Sequence, residues 1–189
     1  MEMGIHQLTQ VVSIPSVLGN LRLATERDRP LLLEWSADFL AKIGDVARGE
    51  TAEQMVDRGL KQKSMYLWQV DSSPEVLSPE VLSPETLPPK ARLTGNGSVT
   101  IPVSLACGSQ FLPTAARIGP VYTPPQYRRK GYATACVSTL SQQFLDQNCQ
   151  NCFLFTDLAN PTSNGIYHAI GYQLICHWHD WGFPSSFSL

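Results

Sequence analysis

Residues 120–140 read PVYTPPQYRRKGYATACVSTL. A short apolar run ends at Tyr122, two prolines follow, three cations stand at Arg128, Arg129 and Lys130, and Gly131 opens a run with helical periodicity. Backbone N–H groups in the first turn of a helix have no intrahelical acceptor. The helix dipole adds positive potential at the same end. Small residues, here Gly131 and Ala133, let a ligand come close to the main chain. A strand, a cationic loop and a glycine-opened helix therefore make a site for an anion, suited to phosphates. Neither Gly-x-x-x-x-Gly-Lys-Ser/Thr nor Gly-x-Gly-x-x-Gly occurs in it.

Downstream of this junction, residues 132–147 predict a helix with Ala133, Cys136, Val137, Leu140 and Phe144 on one face. CFLFTD, 152–157, is a continuous apolar strand. Residues 160–171 predict a second helix, with Asn160 as N-cap, Pro161 at the first helical position and Gly171 as C-terminal cap. YQLICHW, 172–178, is a final strand.

Upstream lies a strand at 116–122, irregular at Gly119 and Pro120. Another at 98–106 alternates Val99, Ile101, Val103 and Leu105 on one side, with Pro102 marking an edge or a bulge. MYLWQV, 65–70, is a short strand. Two helices precede it. Residues 25–42 place Leu32, Trp35 and Phe39 at helical spacing, with Thr25 or Asp28 as the cap and Pro30 in the first turn. The second begins at Thr51, which with Gln54 forms a capping-box pattern.

Between the strands at 65–70 and 98–106, residues 73–87 repeat a five-residue unit, SPEVL SPEVL SPETL. Proline at every fifth position excludes a regular helix or a central strand. Residues 71–97 are expected to be an exposed, Pro-rich inserted loop. The order ααβ, insertion, ββαβαβ predicts an α/β (α+β mixed) chain with one central sheet, and residues 1–189 as one domain.

Composition narrows the function. Of 189 residues 43% are hydrophobic and 16% charged, and the net charge is -2. That is enough apolar material for a core, and no global charge favours nucleic acid or an anionic membrane. MEMGIHQLTQ lacks the basic-then-apolar pattern of a signal peptide, and no apolar run reaches the roughly 18–20 residues of a span, so a cytoplasmic location is expected. Five cysteines, an odd count in mostly apolar surroundings, fit reduced buried thiols. Cys149-Gln-Asn-Cys152, and His177 with His179 and Asp180, leave a redox or metal protein as an alternative; without a second Cys-x-x-Cys, no metal is expected.

Arg128-x-x-Gly131-x-Ala133 resembles the Gln/Arg-x-x-Gly-x-Gly/Ala signature of the GNAT superfamily, the acetyl-CoA-dependent N-acetyltransferases. Asn160, Tyr167 and Gly171-Tyr172 are similar to that family's Asn-x6-Tyr-x3-Gly-Phe/Tyr segment. The resemblance covers residues 98–178 well and the first 70 in outline. It implies a GNAT-like central mixed sheet flanked by helices, and transfer of an acetyl or other small acyl group from its coenzyme A thioester to a small-molecule or peptide amine by direct attack.

The resemblance also implies roles. Val121, Tyr122 and Thr123 would pair with the pantetheine arm through their backbone. Arg128 would add charge, and the amides of Arg129, Lys130, Gly131, Tyr132, Ala133 and Thr134 would hold the pyrophosphate. Asn160 would lie by the arm, and Tyr167 near the sulfur as general acid, since a phenol keeps its proton at neutral pH. The family often places a basic Glu on the strand before the loop, but residues 116–122 contain no carboxylate. Asp157, Glu34 and His168 are the candidate bases. Aromatics near Trp35 and Phe39, and from Trp178 to Phe183, suggest a partly apolar acceptor. A non-catalytic acyl-CoA-binding or regulatory module on the same fold is the alternative.

Overall fold

The structure, a computed structural model, describes residues 2–43, 49–72, 92–93 and 99–179. Eight strands and four helices follow in the order β1 (Glu2–Leu8), β2 (Asn20–Leu23), α1 (Arg29–Ile43), α2 (Ala52–Lys61), β3 (Met65–Ser72), β4 (Arg92–Leu93), β5 (Val99–Leu112), β6 (Ala115–Tyr122), α3 (Tyr132–Asp146), β7 (Asn151–Asp157), α4 (Pro161–Ile170) and β8 (Gln173–His179). The sheet order is β2-β3-β5-β6-β7-β1-β8, with β4 paired to β5. Among the described residues only β6 and β7 pair in parallel. The other pairs are antiparallel, so this is the mixed central sheet expected.

The helix ends follow local rules. Gln54 N–H donates to Thr51 Oγ1 at 3.2 Å and Thr51 N–H to Gln54 Oε1 at 3.0 Å, the reciprocal pair of a capping box. Thr25 precedes a short 3₁₀ turn, Glu26–Asp28, that leads into α1. Asp28, buried there, accepts from Arg22 on β2 through both carboxylate oxygens at 2.8 Å, tying the edge strand to the start of α1.

Neighbouring residues along a strand face opposite sides, and the core divides accordingly. Leu67, Leu105 and Tyr122 pack with Leu32, Trp35, Met55 and Val56 of α1 and α2. Trp68, Ala106 and Leu154 pack with Val137, Leu140 and Phe144 of α3 and Ile170 of α4. Complete burial of side chains such as Trp35, Leu32 and Leu140 contributes about 1.5–3 kcal/mol each.

Three expectations change. The strands β1 and β2 were absent from the sequence reading; β1 wedges between β7 and β8, antiparallel to both. The alternation in β5 does not keep Val99, Ile101, Val103 and Leu105 on one side: the register slips where Trp68 faces Ser104 but Gln69 faces Pro102. That bulge, at the proline, turns Leu105 to the α1/α2 side while the other three stay with α3. Finally, the ends of the expected 71–97 loop carry strand: Asp71 and Ser72 extend β3, and Arg92 and Leu93 pair with Thr100 and Val99. The pentapeptide repeat lies outside the described residues. Among the described residues, no helix is long and apolar enough to cross a membrane.

Candidate active site

The site begins with a divergence of two strands. β6 and β7 pair only from Ala115 to Arg117, against Asn151 to Phe153. On its other side β6 continues along β5, but Ile118 faces Gly108 and Val121 faces Ala106, so Gly119 and Pro120 together oppose Cys107. Gly119 takes φ +122°, a value that glycine tolerates, and proline has no N–H to give a ladder. This bulge bends β6 at the point where its pairing with β7 stops. From Ile118 to Tyr122 the β7-facing edge has no strand partner among the described residues. A wedge opens there between β6 and the end of β7.

The cationic loop stands at the head of that wedge. A 3₁₀ turn at Pro125–Tyr127 follows the strand, and Arg128 Nε donates back to the Thr123 carbonyl at 3.0 Å. Ser104 Oγ donates to the Tyr122 carbonyl at 3.3 Å and shares a hydrogen with Thr123 Oγ1 at 2.8 Å. Arg129 (φ +61°) and Gly131 (φ +78°) both take left-handed conformations, one on each side of Lys130. The first α3 hydrogen bond runs from Ala135 N–H to the Gly131 carbonyl at 2.9 Å, so the amides of Tyr132, Ala133 and Thr134 precede it. The first turn holds no acidic residue to compete with an anion. A Cβ at Gly131 would meet Val17 Cγ2 at 3.0 Å, so the residue is glycine for both its dihedral and its neighbour.

Of the three residues expected to face the arm, Val121 and Thr123 are half-buried and Tyr122 is buried. The Tyr122 phenol donates to Asp38 Oδ2 at 2.7 Å. It accepts from Lys42 Nζ at 3.5 Å, and that ammonium sits 4.5 Å from the ring centroid. Burial and the Asp38 carboxylate push the Tyr122 phenol up to about 12, so it stays protonated. Lys42 is lowered by burial and by the charge of Arg128, which marks α1 and the loop as neighbours. Asp38 and Lys42 were missed in the sequence. With Glu34 they recur every fourth residue, a polar stripe along α1 that could have been noticed.

Helix α4 presents the second motif. Asn160 Oδ1 accepts from Ser163 N–H at 3.2 Å, the N-cap predicted. Tyr167 is half-buried, its ring 6.0 Å from Tyr172 and nearly perpendicular to it. Burial pushes the Tyr167 phenol up to about 12. The candidate bases are dispersed. Asp157 Oδ1 is engaged with Ala159 N–H at 2.9 Å, and His168 stands edge-on to the buried His6 at 5.8 Å. Glu34 is exposed on α1, and its charge reaches Tyr122.

One expectation for the acceptor side changes, at Trp35. Trp35 is 1% exposed and packs on Tyr122, so it is core rather than pocket lining. Phe39 is half-buried against the same cluster. Trp178 is exposed beside Phe155, whereas residues 180–183 lie outside the described residues. Cys149 and Cys152 are buried free thiols, and His177 Nδ1 pairs with Glu2 Oε1 at 2.9 Å. Among the described residues no three His, Cys, Asp or Glu gather as metal ligands.

Residues 102–181 match the family model described as FR47-like protein. That segment is similar to FR47-like proteins and spans less than half of the chain. The match runs from β5 through β8 and contains the whole cationic loop, Asn160 and Tyr167, but not α1 or α2. No curated protein matches the chain. Solved structures match in fold at low identity. A GNAT-family acetyltransferase from Colwellia psychrerythraea superposes with a TM-score of 0.57 at 11% identity, covering 93% of this chain and 53% of its own. This chain thus spans about half the length of that protein. A GNAT-superfamily phosphinothricin acetyltransferase from Sinorhizobium meliloti, in complex with AcCoA, gives 0.58 at 17% identity, covering 85% and 77%. AAC(6')-Iy in complex with the bisubstrate analogue CoA-S-monomethyl-acetylneamine gives 0.57 at 10% identity, covering 87% and 97%. The mixed sheet and four helices are those of the GNAT fold.

Proposed function

We propose that the protein is an N-acyltransferase that moves an acetyl or small acyl group from coenzyme A to an amine. The observation that carries this is the loop from Arg128 to Thr134: two left-handed residues, a cationic run and free first-turn amides at the head of the β6–β7 wedge. A diphosphate fits this cradle, and an extended amide chain fits the unpaired edge of β6. Residues 1–189 then form one acyltransferase domain in which the Pro-rich segment is an insertion.

In the reaction the amine nitrogen attacks the thioester carbonyl carbon, and the carbon–sulfur bond breaks. The Tyr167 hydroxyl supplies the proton to the departing thiolate. Its elevated pKa keeps that proton in place until sulfur charge develops. The proton that the attacking amine gives up would pass to one of the three candidate bases: Glu34, whose charge reaches Tyr122, Asp157, which accepts from Ala159 N–H, or His168, which packs on His6. Much of the rate would come from holding amine and thioester together.

The test is to incubate the protein with acetyl-CoA and a panel of small-molecule and peptide amines, following free thiol. Thiol release that depends on one class of amine supports the reading. Acetyl-CoA binding with no turnover on any amine makes the protein a non-catalytic acyl-CoA module. Deleting residues 73–87 should leave folding and acetyl-CoA affinity intact; loss of either refutes the insertion.

A further inference from the structure

The sheet carries a cation and two aromatic rings beside the wedge, on the face opposite α3. Cys152 and Leu154 of β7 pack in the cluster under α3, so Phe153 and Phe155 face the other way. Ala116 and Ile118 of β6 belong to that same cluster, which turns Arg117 to the far face as well. The cluster under α1 and α2 takes its strand residues from β3, β5 and β6, and none from β7, β1 or β8. Arg117 pairs with Phe153 in the ladder, yet its guanidinium lies 4.9 Å from the ring centroid of Phe155, two residues further along β7. The side chain therefore leans along the strands toward the wedge, which opens just past that pair. Trp178 of β8 meets the same ring edge-on, with centroids 5.9 Å apart.

Arg117 is exposed, and among the described residues no carboxylate pairs with it. A guanidinium stacked on a ring is held in place while its N–H fork stays free for a carboxylate. Phe155 is half-buried and Trp178 is 46% exposed, so both rings offer apolar surface. We propose, on the acyl-CoA reading above, that Arg117, Phe155 and Trp178 form the acceptor subsite and that the acceptor amine is an apolar amino acid. Its carboxylate takes the Arg117 fork, and its side chain lies on the two rings. The charge fits, since a lone exposed cation favours an acid over an uncharged or cationic partner. The position fits as well. Helix α3, whose start carries the diphosphate cradle, packs on the opposite face, so donor and acceptor reach the wedge from different sides of the sheet. The three side chains set specificity and move no proton in the reaction.

The test is calorimetric titration of the coenzyme A-loaded protein with two probes, L-phenylalanine and L-phenylalaninamide, which share the ring and differ in the acid group. Wild type should bind the acid about tenfold more tightly than the amide. Arg117→Gln should remove that preference by weakening the acid alone, and Trp178→Ala should weaken both probes together. In turnover with acetyl-CoA, Arg117→Gln should raise KM for phenylalanine about tenfold and leave kcat and acetyl-CoA affinity within about twofold of wild type. Equal binding of acid and amide by wild type overturns the inference, as does a preference that survives in Arg117→Gln. Loss of acetyl-CoA affinity in Arg117→Gln also overturns it, because that assigns Arg117 to the donor. Preferential binding of the acid without thiol release keeps the subsite and removes the acyltransferase reading. Thiol release with other amines but none with phenylalanine keeps that reading and removes the subsite. If wild type does not bind coenzyme A, the acyl-CoA reading itself fails and this inference with it.

Discussion

Tyr122 donates its phenol hydrogen to Asp38 across 2.7 Å, joining the last residue of β6 to the middle of α1. The contact fixes one wall of the wedge to the helix above it, at a residue that is 4% exposed. Tyr122→Phe should lower stability by about 1 kcal/mol, the usual net value of such a bond, while acetyl-CoA affinity changes little. A large loss of affinity with no loss of stability would show that the hydroxyl serves the ligand instead.

The same phenol gives an alkaline signature. Burial and Asp38 raise it from 10 to about 12, so the unfolded chain loses this proton first. Stability is then full below pH 10 and falls between pH 10 and 12. Urea melts at pH 9 and pH 11 should show the fall in wild type and a smaller fall in Tyr122→Phe. Identical losses would contradict the assignment.

His6 sets the opposite limit. It is 1% exposed, bonded to Thr156 Oγ1 at 3.0 Å through Nε2, and lowered from 6.5 by burial and by His168. The unfolded chain takes up the proton more readily, so stability is full above pH 6.5 and is lost as pH falls through the folded value. Melts at pH 7.5 and 5.5 should show this in wild type and less of it in His6→Asn.

Four of the five cysteines, Cys107, Cys136, Cys149 and Cys152, are buried, and burial raises all four thiols, Cys107 and Cys152 to about 12. Only Cys176 is exposed. A thiol count at pH 8 should therefore find one fast group in the native protein and five after denaturation. A fast pair would revive the redox reading of Cys149 and Cys152.

Tyr167→Phe keeps the ring against Tyr172 and removes the acid. Turnover with a competent amine should fall about a hundredfold, with acetyl-CoA affinity unchanged. Equal turnover would remove Tyr167 from the chemistry.

The later half of the chain was legible because its signals are local. Gly131 and Gly171 mark helix boundaries through left-handed conformations, Asn160 through its cap, and Gly119-Pro120 the bulge. The N-terminal strands were not legible for the same reason inverted. β1 has glycine and histidine among its buried positions, and β2 has four residues, so neither shows a clear apolar alternation. Their identity as strands comes from distant partners, Leu154 for His6 and Trp68 for Leu21. In the site, motif positions were readable, but Asp38 and Arg117 were not, because their roles depend on which residues the fold sets beside them.

The central claim is that Arg128 to Thr134 holds a diphosphate. Calorimetric titration with acetyl-CoA, on wild type and on Gly131→Glu verified as folded by its melting curve, tests it most directly. Glutamate there adds bulk and negative charge at a residue with φ +78°. The account predicts binding at micromolar strength by wild type and none by the folded variant. Equal affinity in both would place the ligand elsewhere, and absence of binding in wild type would contradict the account outright.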